Sequence, residues 1–186
     1  MADLSAIVQQ HKGFFGPFGQ GAHCKTHVYM AKGGCAGYAA AWIKMVKTDG
    51  GIADLTTLQS FEDVQWVMSE NKQGRDGMKQ YLTGCGVHEH SFTSYKSEIR
   101  FDDVMNRVVA QSGYYVLGIS SDFPVSGHAL AFRTAPGPLG RMMFDPNQGT
   151  AMFDESQQGA FVSACKAFVR TEYGELKDGG GLWRFL

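Results

Sequence analysis

Hydrophobic positions recur along this chain with two different periods, and the period changes past its middle. Phe101, Val104, Met105, Val108 and Val109 fall at i, i+3, i+4, i+7 and i+8, the apolar face of one amphipathic helix. Leu55, Leu58, Phe61, Val64 and Met68 keep helical spacing too. Residues 36–47 contain the run Ala39-Ala40-Ala41 and read as a third helix, since alanine is the best helix former. Asp154 is placed to N-cap a helix reaching about Arg170, with Phe161, Ala164, Cys165, Phe168 and Val169 as its stripe. That stripe makes Cys165 a core residue. In the second half, Tyr114–Ser120, His128–Thr134, Arg141–Asp145 and Leu182–Leu186 are short, apolar or alternating, and bounded by Gly or Pro, which predicts strands. Residues 86–95 are a further strand candidate. Helices first, strands second and one returning helix predict an α+β fold with an antiparallel sheet, not alternating βαβ units.

Composition narrows the class. The 186 residues hold no internal repeat and no Pro- or Ser-rich linker, so one domain over 1–186 is expected. A hydrophobic fraction of 44% with 13 Phe argues for a folded core rather than disorder. A net charge of −1 supplies no global field to recruit nucleic acid or an anionic membrane. No apolar run approaches the roughly 20 residues that span a bilayer. Met1-Ala2-Asp3-Leu4-Ser5 lacks the basic and apolar regions of a cleaved leader, and Ala2 is unsuited to myristoylation. The first 23 residues are expected to form an irregular arm, glycine-rich and pinned by Phe14, Phe15 and Phe18 packing into the core. Met142 and Met143 read as strand packing. Lys72, Arg75, Lys79, Lys96 and Arg100 read as scattered charge on a solvated surface.

The four cysteines, at 24, 35, 85 and 165, are irregularly spaced, which suits a reducing compartment better than a disulfide framework. Cys35 stands apart, in Gly33-Gly34-Cys35-Ala36-Gly37-Tyr38. The glycines permit a sharp turn and leave the sulfur unshielded, and the helix behind it sets Cys35 at the positive end of a macrodipole. A small cysteine packed in a Gly/Ala turn would look the same taken alone. Downstream, Ser126-Gly127-His128-Ala129 starts one strand and Phe144-Asp145-Pro146-Asn147-Gln148-Gly149 ends the next. If the two strands form a hairpin through the loop 135–139, Arg133 faces about Gly140 and paired numbers sum to about 273. His128 then lies directly opposite Asp145, near enough for the carboxylate to orient the imidazole. A nucleophilic cysteine needs an imidazole, and the imidazole needs an orienting acceptor. Cys35, His128 and Asp145 supply each group once.

The ordered set Gly-x-Cys-x-Gly with Trp42 and Ile43, then Gly-His-Ala-x-Ala, then Phe-Asp-Pro-Asn-x-Gly with Phe153, resembles the YopT-type cysteine proteases of the papain-like clan. The resemblance spans most of residues 30–153. It implies a papain-like fold, with the cysteine helix packed on an antiparallel sheet and the site between them. It implies Cys35 as nucleophile, His128 as general base and then acid, and Asp145 as the orienter, with no metal or organic cofactor. The implied substrate is protein or peptide. The implied setting is a bacterial effector or toxin domain, secreted without a cleaved signal peptide into a target cell's cytosol. Papain-like enzymes often carry an amide donor to the oxyanion five or six residues before the nucleophile, where this chain has Met30 and Tyr29. The second donor is therefore open, with Gln20 and His23 the candidates from the preceding loop.

Other readings use the same residues. A triad of this kind also serves a peptidoglycan amidase, a deamidase or an acyltransferase, and a pseudoenzyme could keep it as a binding surface. Cys24-x-x-His27 and Cys85-x-x-His88 could together staple a binding module through tetrahedral zinc, although His23 and His90 blur that pattern.

Overall fold

The computed structural model describes residues 2–19, 21, 34–48, 62–64, 66–67, 75–95, 100–119, 127–173 and 180–186. Asp3 opens the first helix, α1 (Leu4–Gln10), by accepting the Ala6 amide on its carboxylate at 3.1 Å. Leu4 and Val8, four residues apart, are its buried face. After α1 come β1 (Phe14–Pro17), α2 (Cys35–Thr48), α3 (Arg75–Gly84), β2 (Glu89–Tyr95) and α4 (Phe101–Ala110). Then follow β3 (Tyr114–Ile119), β4 (His128–Arg133), β5 (Arg141–Asp145), β6 (Gly149–Phe153), α5 (Gln158–Tyr173) and β7 (Gly180–Phe185).

The seven strands form one sheet in the order β1-β6-β5-β4-β3-β7-β2, with every neighbouring pair antiparallel. Period-two alternation sends each strand's residues to two separate cores. Val116, Ala129, Ala131, Met142 and Phe144 face α2 and α3, whereas Tyr115, Leu117, Leu130, Phe132, Met143 and Phe153 face α1, α4 and α5. The central strands are buried on both faces, which is why they read as continuous apolar runs rather than clean alternation. The mixed helix and antiparallel-sheet class follows the sequence pattern, and Met142, Met143 and Cys165 are core.

Two expectations are corrected. The arm 1–23 is not irregular throughout, since it holds α1 and β1. Phe14–Pro17 lacks strand patterning because an edge strand needs a partner on one side only; it pairs with β6, from Phe14↔Met152 to Pro17↔Gly149. Its rings divide, with Phe18 packed on Tyr38 and Phe144 while Phe14 is 67% exposed. Asp154 caps the last helical segment as expected, through a capping box with Gln157 in a 3-10 turn (Glu155–Gln157) that leads into α5, but α5 runs past Arg170 to Tyr173. Lys79 and Arg100 are exposed as expected, Lys79 standing on α3 within 3.3 Å of Glu89. Lys72, Lys96 and most of the helical pattern at 55–68 lie outside the described residues, although Val64 and Val67 are buried.

Candidate active site

Gly34 precedes α2 and its carbonyl accepts the Tyr38 amide at 2.9 Å, so Cys35 occupies the first turn. There its own N–H is among the backbone donors that no helical carbonyl can accept. Tyr38 through Ile43 are all buried. Trp42 lies nearly parallel to Phe144, centroids 5.5 Å apart, and its indole N–H donates to Thr150 Oγ1 at 3.1 Å. These contacts clamp the helix onto β5 and β6. Its N-terminal end thereby reaches the edge of the sheet where β4 begins and β5 ends.

At that edge the three sequence candidates meet. Cys35 Sγ lies 3.6 Å from the carbonyl of Gly127, the residue just before His128. His128 Nε2 approaches Asp145 Oδ1 at 3.3 Å, with the Asp145 side chain wholly buried and that of His128 14% exposed. The approach is a charge contact rather than a well-aligned hydrogen bond, and among the described residues Nε2 meets no aligned acceptor.

The expected register is corrected here. Observed pairs such as Ala131↔Phe144 and Arg133↔Met142 sum to 275, not 273, so Leu130 and not His128 comes level with Asp145. The cause is the hairpin loop. Gly140 turns at φ +63°, and the buried Arg133 guanidinium donates to the carbonyls of Gly140 and Pro136, so pairing starts two residues later. A slip of two keeps each side chain on its face, and the diagonal neighbours still touch.

Burial opposes the imidazolium of His128, but the close Asp145 carboxylate and Cys35 sulfur outweigh it, and its pKa is pushed up to about 9. At neutral pH the site therefore holds a cationic imidazole between a sulfur and a carboxylate. Asp145 is itself held: Oδ1 accepts the Asn147 amide at 2.6 Å and Oδ2 accepts the Tyr173 hydroxyl. The Tyr173 ring stacks on the imidazole with centroids 5.0 Å apart. Tyr173 lies past the expected helix end at Arg170, and its one sequence signal is that it continues the apolar stripe four residues past Val169.

Sequence comparison finds no matching family model and no matching curated protein. The fold is similar to that of the Pseudomonas avirulence protein AvrPphB. Its crystal structure aligns with a TM-score of 0.57 at 16% identity, over 86% of this chain and 95% of that chain. At that identity the likeness is one of architecture.

Other candidates fare differently. Gln20, His23, Tyr29 and Met30, the residues considered for a second oxyanion donor, lie outside the described residues, as do Cys24 and His27 of the zinc pattern. Cys85 is half-buried, and burial pushes its thiol up despite nearby Lys44. Among the described residues no group of three or more His, Cys, Asp or Glu is arranged to hold a metal ion. Nor, among them, is any helix long and apolar enough to cross a membrane.

Proposed function

We propose that this chain is one papain-like cysteine protease domain, over 1–186, of the YopT type. In this reading Cys35 is the nucleophile, His128 the general base and then acid, and Asp145 the residue that orients the imidazole. The observation that carries it is the convergence of Cys35, His128 and Asp145, from three separate elements, on one end of the sheet. The likeness in fold to a bacterial avirulence protein supports an effector that acts on protein.

The chemistry follows from the groups. The thiolate is the attacking form of cysteine, and a cationic imidazole beside it favours that form. Sulfur adds to the peptide carbonyl carbon, and the Cys35 amide at the start of α2 donates to the developing oxyanion. As the C–N bond breaks, His128 gives its proton to the departing amine and leaves a thioester on Cys35. Neutral His128 then takes a proton from water, whose oxygen attacks the thioester and releases the acid. Asp145 keeps the imidazole in one orientation through both steps.

Near neutral pH, iodoacetamide is expected to label Cys35 much faster than Cys24, Cys85 or Cys165, read by peptide mass spectrometry. A silent Cys35 would overturn the proposal. Cys35→Ala should abolish activity with little loss of fold, and new protein N-termini in target-cell cytosol should appear with wild type alone. A reactive Cys35 that generates no new N-termini would move the assignment to an amidase, deamidase or acyltransferase.

A further inference from the structure

We propose that Tyr173 is a positioning residue of this site: its hydroxyl fixes the rotation of the Asp145 carboxylate and its ring fixes the plane of the His128 imidazole. The inference rests on the proposed role of His128. Asp145 is fully buried, and a buried carboxylate needs its lone pairs occupied by donors. Tyr173 takes Oδ2 and the Asn147 amide takes one side of Oδ1. What remains free on Oδ1 faces His128 Nε2. With Oδ2 pinned, the carboxylate cannot rotate about its Cβ–Cγ bond without giving up the phenol.

The same side chain acts on the partner. Its ring lies over the imidazole at an interplanar angle of 24° and stands nearly perpendicular to Phe168, whose contact at 6.0 Å holds it from five residues back along α5. An aromatic face also favours the cationic form of the ring it covers. Burial, then the Asp145 charge and hydrogen bond, push the phenol well above its ordinary range, so Tyr173 stays a neutral donor across the working pH. The titratable groups facing His128 are Cys35 from α2, Asp145 from β5 and Tyr173 from α5, with Glu172 beside Tyr173. The contacts of Tyr173 run to Asp145, His128 and Phe168, so its role is to position rather than to attack.

The test is the titration of His128, followed by NMR of its ring protons and paired with the pH profile of Cys35 alkylation by iodoacetamide. Tyr173→Phe keeps the stacked ring and removes only the oxygen. His128 is expected to titrate lower by about one pH unit, because a carboxylate free to rotate turns Oδ1 away from Nε2 and weakens the contact that holds the proton. Cys35 alkylation should slow by about tenfold on the acid limb of its pH profile, where a less firmly held imidazolium stabilises the thiolate less, and little near neutral pH, where the imidazole is still cationic. In an Asp145→Asn background the same substitution should add no further shift, because the two act through one contact. Tyr173→Met, which retains apolar bulk, carries the same reading should the phenylalanine variant not fold. A folded Tyr173→Phe protein with wild-type titration, or additive shifts with Asp145→Asn, would overturn the inference. A merely structural tyrosine would lower the melting temperature and leave the titration in place. Neither readout requires a peptide substrate, so failure here is distinct from failure of the protease assignment.

Discussion

Raising the pH from 6.5 to 9 should remove a defined amount of folding stability, and His128 sets how much. Its pKa rises from 6.5 to about 9 on folding, so the folded chain binds a proton there that the unfolded chain releases. Stability falls with pH wherever the native state holds more protons. The His128 contribution is thus complete below pH 6.5 and lost as pH passes through about 9. A shift of about 2.5 units, at about 1.36 kcal/mol each, amounts to about 3 kcal/mol, with a steepest slope near 1.4 kcal/mol per pH unit. The side chain is only 14% exposed, so solvent screening takes little from this figure. Urea unfolding at half-unit steps from pH 6 to 9.5, wild type against His128→Gln, isolates the contribution as the difference between two curves. The glutamine amide can still donate to Asp145, which keeps the buried carboxylate satisfied in the control. The gap should close by about 3 kcal/mol across that window. A gap that is flat, or that widens with pH, would refute the raised imidazole pKa and with it the cationic resting site.

Two further substitutions test how the site is held. Trp42→Ala removes the stack on Phe144 and the donor to Thr150, and should destabilise by about 3–5 kcal/mol in urea unfolding while slowing Cys35 alkylation, because α2 loses its clamp. An effect under about 1 kcal/mol would mean that the clamp is unimportant. Gly149 turns at φ +137°, with Gly16 O only 2.2 Å from where a Cβ would stand, so Gly149→Ala should destabilise by about 1–3 kcal/mol and disturb the Asp145 turn. Gly159→Ala, in open space on α5, is the control and should be neutral or stabilising by up to about 1 kcal/mol.

The elements most visible in the sequence were those whose burial pattern is local. The stripe of α4 and the Phe161–Val169 stripe of α5 announce themselves because one helix face repeats every three to four residues. The strands β3, β4 and β5 are visible as apolar runs between Gly and Pro, since both their faces are covered. β1 and α1 were not, because a one-sided edge strand and a two-turn helix each bury too few residues to make a period. The chemistry of the candidate site was legible in residue type and order: one cysteine at a helix start, one histidine opening a strand and one aspartate closing another.

What the chain alone determined, then, is the class of its elements and the identity of the three candidate side chains, because periodicity and local turn chemistry act over a few residues. Tertiary structure decided the rest. The two-residue register shift comes from Arg133 reaching across its own loop, and the hold on Asp145 comes from Tyr173, 28 positions away on another element. Such contacts depend on how whole faces pack, and no pattern within a short window encodes them.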